Sequence, residues 1–428
     1  MSSYIRNQAG ASWTMFPVEL KYAIVRLLDD QQDVHNFSQT SRESYALCIP
    51  SLFKNVNLRN REALRTFLTN VPVSYGRHTR TLAVCTAFAD AGVTASNGPI
   101  SEALAELLGR CTQLDRLDLK LVNSVRPSII SSFQKLEHLR ELAISNCGDE
   151  NTHPLSERLV VSIAASLPKL SRLTLDRVAR SAMHAPELVG CSSFVPVCTG
   201  DEDVPAHPIF GTDLSLPILL RLPTLRYLRI RDTHLGDAAW STTTQHACPI
   251  EVLDLGSCYF ESPEFNRMCT ERIIGNIGNM VDEFSVNTPL QSDTYDFTQS
   301  VCTPLKRLRK VHLTPLLPVE NVVSTLTTLS GSPVEQLSVS CHEDDVDDVC
   351  DALKDFLALR GERPDALYPH LKEIEVQTVG DDLESVKASM KLPVMSELPV
   401  NSVKVERPAA VTELLCPLPC LARSARDM

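Results

Sequence analysis

Several residues of this 428-residue chain have the type and spacing that chemistry requires. The first candidate is an acidic cluster, HEDDVDDVCDALKDF from His342. Carboxylates at this density can ligate a divalent cation. Val346, Val349, Leu353 and Phe356 recur within the cluster at helical spacing. This pattern favours a helix whose acids cap its start and cover its solvated face, with a metal site as the weaker alternative.

A cysteine pair is the second candidate, because Cys416 and Cys420 enclose a short PLP segment. No histidine follows to complete a zinc-binding set. The chain has 14 cysteines, scattered singly and without a CxxC pair. We therefore expect reduced, mostly buried thiols.

The common catalytic motifs are missing from the sequence. GNIGN, from Gly275 to Asn279, has only two glycines and precedes no long helical pattern, so it is a poor phosphate-binding loop. GxSxG, GxxxxGK[ST] and HExxH do not occur. We predict that the chain is not an enzyme and has no catalytic residue, no metal and no cofactor.

Composition narrows the classes of partner. The chain has 41 basic and 53 acidic side chains, a formal net charge of -12, which disfavours a broad surface for nucleic acid or anionic lipid. The first residues lack a basic flank followed by an apolar run, and the most apolar stretch, 214–225, is interrupted by two prolines and Arg221. We expect no nucleic-acid or membrane partner and a cytoplasmic or nuclear location.

A short motif, LxxLxxLxL, recurs along the chain at intervals that are mostly 25 to 37 residues long. Each copy ends in an alternating pair typical of a half-buried strand, and the intervals hold segments with helical periodicity. The first residues of these pairs are Leu117, Leu142, Leu173, Leu228, Leu253, Phe284, Val311, Leu337, Ile374 and, more weakly, Val403, with Val56 and Leu82 upstream.

This pattern resembles the leucine-rich-repeat family in its irregular form, since Cys147 and Cys258 stand where that pattern places an Asn or Cys at a strand's end. The resemblance implies an α/β fold over residues 56–405: a solenoid with a parallel concave sheet and helices on its convex side. A globular α/β domain with similar periodicity is the alternative.

One interval, between Leu173 and Leu228, is longer than the others. At about 180–215 it contains prolines, three consecutive acids and little helical periodicity, which predicts an exposed, mobile insertion with a degenerate strand near 194–197. Residues 406–428 have a polar end and are interpreted as a C-terminal tail.

Residues 12–55 form a different unit, with three short helical segments that display more apolar surface than they can bury among themselves. The segment resembles an F-box. Phe16-Pro17-Val18-Glu19 matches the family's LPxE, Ile24 and Leu27-Leu28 match its apolar helix, and 34–42 matches DLxxLSxTSR. Phe16, Val34 and Phe37 replace the leucines of these motifs but remain apolar.

The F-box resemblance implies the substrate-recognition subunit of an SCF-type, cullin-RING ubiquitin ligase. Its partners would be the adaptor subunit, cullin through that adaptor, and an unidentified target protein. The adaptor would contact Phe16, Pro17, Ile24, Leu28, Val34, Phe37 and Ser38. The alternative is a leucine-rich-repeat scaffold or regulator whose first helices only cap the solenoid.

The target surface is expected on the concave side, where the residue between each apolar pair points away from the helices. Tyr227, Arg229 and Arg231 lie beside the insertion, Asp254 is on the next strand, and arginine with an aromatic ring commonly anchors interfaces. An acidic or phosphorylated peptide is the favoured ligand. Alternatives are an ordinary surface, or the basic run formed by Lys306, Arg307, Arg309 and Lys310.

Overall fold

The computed structural model describes residues 13–28, 30–87, 100–122, 125–190, 195–243, 249–290, 305–362 and 367–379, and the backbone of 387–391. Its helices are α1 (Val18–Arg26), α2 (Gln31–Ser38), α3 (Arg42–Leu52), α4 (Arg61–Asn70), α5 (Ile100–Arg110), α6 (Ile130–Phe133), α7 (Glu157–Ala165), α8 (Pro263–Ile277), α9 (Val322–Thr328) and α10 (Val346–Glu362).

The strands are β1 (Asn55–Leu58), β2 (Thr81–Cys85), β3 (Arg116–Leu121), β4 (Glu141–Asn146), β5 (Arg172–Asp176), β6 (Arg180–Ser181), β7 (Val197–Cys198), β8 (Tyr227–Arg231), β9 (Val252–Leu255), β10 (Glu283–Val286), β11 (Lys310–Leu313), β12 (Gln336–His342), β13 (Glu373–Val379) and β14 (Lys387–Lys391). The weak repeat predicted at 400–405, the 406–428 tail and the Cys416–Cys420 pair lie outside the described residues.

A single twelve-stranded sheet runs through the molecule in the order β1-β2-β3-β4-β5-β8-β9-β10-β11-β12-β13-β14. Every neighbouring pair is parallel except β13 and β14, which are antiparallel. Parallel neighbours require a crossover, and helices or helical turns supply it between most successive strands; none is described between β10 and β11. The chain is therefore a mixed α/β, leucine-rich-repeat-like solenoid.

Register aligns the predicted apolar pairs in two rows across the sheet. Leu142 pairs with Leu117 on one side and Leu173 on the other, and Leu173 pairs in turn with Leu228. These leucines are buried and belong to one continuous core between sheet and helices. Their burial confirms the alternation predicted from the sequence. This register is strongly specified, because a slip of one residue would turn these side chains to solvent.

Backbone hydrogen bonds at the strand starts hold this register. The carbonyl of Arg80 accepts from both Asp115 N (2.8 Å) and Arg116 N (3.0 Å), and the same two-donor pattern recurs from repeat to repeat. The carbonyls that accept in this way belong to Lys54, Arg80, Asp115, Arg140, Ser171, Arg226, Glu251, Asp282, Arg309 and Glu335. The ladder places these residues side by side along one edge of the sheet.

The strand ends differ between repeats. Cys258 is buried as the repeat pattern implies, and Asn266 of α8 binds its N–H (2.9 Å) and its carbonyl (3.0 Å). Cys147, which also follows a strand, is exposed. Asn146 is buried instead, donating to the His153 carbonyl (3.1 Å) and accepting from Gly148 N (3.0 Å), because an amide can satisfy both backbone groups.

The insertion between β5 and β8 is anchored, contrary to the expectation of an exposed segment without buried hydrogen bonds. Glu157 of α7 accepts from Arg180 Nε (3.0 Å) and from Ser181 N (3.0 Å). Asp201 accepts from Ser181 Oγ (2.9 Å), and its carbonyl accepts from the Arg158 side chain. All five residues are buried, so the segment closes over α7 as part of the fold.

The degenerate strand expected in the insertion is β7, which pairs with β6 in a separate two-stranded sheet. The main sheet passes directly from β5 to β8, so the insertion adds no strand to the concave surface. Phe194 lies outside the described residues.

Helices α1 to α3 enclose a small core of their own, formed by Val25, Val34, Leu47 and Cys48. This unit continues into the first repeat, where Phe53 packs against Tyr75 with ring centroids 5.1 Å apart. In the part of the chain that the structure describes, no helix is long and apolar enough to span a bilayer.

Candidate functional site

The first candidate surface is the outer face of α1. Lys21 and Val25 point into the three-helix core, whereas Leu20, Ile24 and Leu27 lie on the outside. These three side chains are 51%, 39% and 78% exposed. Their i, i+4, i+7 spacing makes them one apolar stripe along the helix and the turn that follows it.

The inward face of α1 is the more polar of the two. Lys21 is buried, pairs with Glu43 of α3 and lies 5.7 Å from the ring centre of Trp13. The ion pair with Glu43 and the Trp13 ring offset the cost of burying the lysine charge. The helix thus has a paired lysine on its inward side and an exposed apolar stripe on its outer side.

The residues expected to contact an adaptor do not all share this surface. Ile24 and Pro17 are exposed, whereas Phe16, Leu28 and Phe37 are half-buried. Val34 is only 2% exposed, so the expectation that it belongs to an exposed apolar face is wrong. Its methyl groups fill the space between α1 and α3, and the small unit has few other core residues.

Ser38 is buried, and its hydroxyl donates to the His35 carbonyl at 2.6 Å. It lines an open groove on the helical unit together with His35, Gln39, Ser41, Arg42, Tyr45, Leu52 and Phe53. Most of the residues that line this groove are polar, and most belong to α2 and α3.

The expected adaptor contacts did not include four exposed apolar residues near Ile24: Met15, Val18, Leu20 and Leu27. The helical spacing of Leu20, Ile24 and Leu27 is visible in the sequence. The sequence contains no signal that Lys21 and Val25 face inward and that the apolar stripe faces outward, because this depends on the contacts of Lys21 with Glu43 and Trp13.

The second candidate surface is on the concave face of β8 and β9, where Tyr227, Arg229, Arg231 and Asp254 come together as predicted. Arg231 Nη2 donates to both carboxylate oxygens of Asp254, at 3.2 and 3.1 Å. Arg229 Nε is 3.4 Å from Asp254 Oδ2, an ion pair without hydrogen-bond geometry. Asp254 is buried beneath the two arginines and orients both.

Asp176 adds a second carboxylate next to this cluster, since β5 register places it beside Arg231. Burial, followed by the charge of Asp232, raises the pKa of Asp176, and Arg229 and Arg231 only partly oppose the rise. Burial likewise raises the pKa of Tyr227. The two arginines thus face two carboxylates, and the cluster carries little excess charge for a ligand.

The basic run proposed as an alternative site is also largely paired. Arg307 donates to both oxygens of Asp282 (3.0 and 2.8 Å), and Arg309 pairs with Glu335 (3.1 Å). Lys306 and Lys310 are exposed.

The acidic segment from His342 enters α10, where Val349, Leu353 and Phe356 are buried, so the helical interpretation of its apolar spacing is confirmed. Among the described residues, no three His, Cys, Asp or Glu side chains are grouped so as to hold a metal ion.

No protein-family model matches this chain, and no curated protein matches it. Among solved structures it is similar to TLR13 in a TLR13–ssRNA13 complex, at 14% identity and a TM-score of 0.33, over 67% of this chain and 36% of the other. It is also similar to a chain of the Rad7 and Elc1 complex in yeast, at 15% identity and a TM-score of 0.30, over 75% of this chain and 88% of the other. This chain thus spans about a third of the TLR13 chain's length.

Proposed function

We propose that this protein is a non-catalytic substrate receptor. Its three-helix unit would dock on the adaptor subunit of a cullin-RING ubiquitin ligase, and its repeats would hold a target protein. Tethering a target near a ubiquitin-loaded enzyme raises its effective concentration without any chemistry by the receptor itself.

The observation that carries the adaptor role is the outward stripe of Leu20, Ile24 and Leu27, within a segment whose motif resembles an F-box. A protein partner of this surface would bury side chains that now lie in water. Pro17 at the start of α1 and half-buried Phe16 and Leu28 adjoin the stripe, so they remain candidate contacts.

The target role is supported by the concave sheet, a rigid surface to which every repeat contributes. Tyr227, Arg229, Arg231 and Asp254 are the proposed target contacts. Because Asp254 and Asp176 balance the charge of the two arginines, an acidic or phosphorylated peptide bound here would need further cations next to this cluster. Asp254 holds both arginines in place, which reduces the entropy that binding would cost.

The adaptor role is tested with Leu20→Ser combined with Leu27→Ser. Full burial of a leucine contributes about 1.5 to 3 kcal/mol. With exposures of 51% and 78%, covering the two side chains would contribute about 2 to 4 kcal/mol. The double variant should weaken binding of purified adaptor roughly 30-fold or more, as measured by calorimetry.

Tyr259→Ser, at an exposed position after β9, is the matched control and should leave adaptor affinity unchanged. Unchanged adaptor affinity in the Leu20→Ser and Leu27→Ser chain would remove the stripe from the interface. Failure of the wild-type chain to bind adaptor and cullin at all would reject ligase recruitment.

The second candidate is a leucine-rich-repeat scaffold without ligase recruitment. It is favoured by the packing of Phe53 against Tyr75, which joins the helical unit to the first repeat as a terminal cap would be joined. Under this alternative, deleting residues 1–52 would destabilise the solenoid, and a pull-down with the full chain would recover neither adaptor nor cullin.

A further inference from the structure

Charged side chains along the strand-start edge mostly form pairs between neighbouring repeats. Arg80 approaches Asp115 (3.9 Å), Arg116 approaches Glu141 (3.7 Å), and Arg226 approaches Glu251 (3.5 Å). Further along the edge, Asp282 and Glu335 pair with the arginines described above, and Glu335 also binds Lys372 at 2.6 Å. Alternating signs neutralise most of this edge.

The alternation fails at the starts of β4 and β5. The turns that lead into these strands, 134–140 and 166–171, contain Lys135, Arg140 and Lys169, and β5 begins with Arg172. All four side chains are exposed. The acidic residues of the same turns and strand starts are Glu137 and Glu141, and Glu141 already lies near Arg116. We call these four cations the basic edge patch; it is an uncompensated positive site on a chain of net negative charge.

One member of the patch is held in place by an aromatic ring. The guanidinium carbon of Arg172 lies 4.1 Å from the centre of the Tyr227 ring. A cation–π contact at this distance restrains the guanidinium and leaves N–H groups available to an anion. Register places Arg172 directly beside Tyr227, so the stack belongs to the sheet itself.

We propose that the basic edge patch binds a short acidic segment of the target, through aspartate or glutamate side chains. This inference rests on the proposed role of the repeats in holding a target, and it names the chemistry of that target. Arg229 and Arg231, whose charge Asp254 already balances, would then extend the contact surface beside Tyr227, and the patch would supply the positive charge that an acidic segment requires.

Charge complementarity limits the length of the ligand. Neighbouring strands are about 4.8 Å apart, so the two strand starts that carry the patch are one spacing apart, and Tyr227 at the start of β8 extends the site to roughly 10 Å. Asp115 lies on one side of it, and Glu251 and Asp282 lie on the other. A continuous phosphate backbone would meet these carboxylates, whereas a segment with two or three acidic residues fits between them.

The test is fluorescence anisotropy at low salt with a labelled peptide of alternating glutamate and serine. Arg140→Glu with Arg172→Glu should weaken its binding to the full chain at least tenfold, because two charge-assisted contacts become repulsive. Arg140→Gln with Arg172→Gln should give a smaller loss in the same direction. Lys54→Glu with Arg59→Glu, at two exposed cations beside β1, is the matched control and should change binding by less than about twofold.

Equal binding by the wild type and both Arg140/Arg172 variants would overturn the proposal, as would an equal loss in the control. Tighter binding of a serine peptide bearing phosphates, or of single-stranded DNA, would show that the acidic-peptide assignment is wrong. If the chain binds the glutamate peptide but not the adaptor, the proposed ligase role is rejected and the proposed binding at the basic edge patch stands. If it binds the adaptor but not the peptide, only the proposal for the basic edge patch is rejected.

Discussion

Glu157 is the residue on which the insertion depends most. Its side chain is 0% exposed, and its two carboxylate oxygens accept from Arg180 Nε (3.0 Å), Ser181 N (3.0 Å), His184 Nδ1 (3.1 Å) and Leu216 N (3.4 Å). Three of these donors lie in the insertion and the fourth begins the turn that leads to β8. The perturbation of interest is therefore Glu157→Ala.

Removing this carboxylate leaves Arg180 buried without one of its two anions and leaves two backbone N–H groups unpaired. Loss of one partner from a buried ion pair costs about 3 to 5 kcal/mol. Arg180 retains Asp237 at 2.9 Å, so the lower end of that range applies. About 3 kcal/mol corresponds to a roughly hundredfold larger population of chains with an open insertion.

Limited proteolysis measures this population, since cleavage follows the opening equilibrium when closing is fast. Cleavage within 182–213 should accelerate roughly hundredfold in Glu157→Ala and less in Glu157→Gln, which keeps a neutral acceptor. Glu251→Ala removes an exposed carboxylate that faces Arg226 and should have almost no effect. Equal cleavage rates in wild type and Glu157→Ala would refute the anchoring role of Glu157.

Further predictions concern pH and two other side chains. Burial opposes the charged imidazole of His184, but the hydrogen bond and charge of Glu157 raise its pKa above the ordinary value. Its stabilisation is thus full below that ordinary value and lost as pH rises through the folded pKa, so cleavage of the insertion should be faster at about pH 9 than at about pH 6. Val34→Asp should destabilise the three-helix unit by about 3 kcal/mol or more and unfold it, because it buries a carboxylate without a partner. Circular dichroism should show loss of the helical signal of this unit while the repeats stay folded. A unit that stays folded would contradict the burial of Val34. Arg231→Met should lower the free energy of unfolding, measured by thermal denaturation, by about 1 to 3 kcal/mol. Arg229→Met should lower it less, because of the two arginines only Arg231 forms hydrogen bonds to Asp254. The reverse order would show that this geometry is wrong.

The repeat architecture could be predicted from the sequence because its signal is local. Two apolar residues separated by one polar residue face the same side of any strand, so pairs such as Leu142 and Ile144 identify their own inward side. The repeat interval then makes successive strands neighbours, and the concave positions of Arg229 and Asp254 follow. The same local logic predicted the buried face of α10.

Tertiary contacts alone decided which stripe of α1 faces outward. Leu20 and Val25 lie in adjacent helical stripes, and the contacts of Lys21 with Glu43 and Trp13 select the inward one. The anchored insertion likewise depends on pairs distant in sequence, 59 residues apart for Glu157 and Leu216 and 43 for Arg158 and Asp201. Periodicity reports which side of an element is apolar, but the free energy of a buried charge depends on partners that only the folded chain brings within reach.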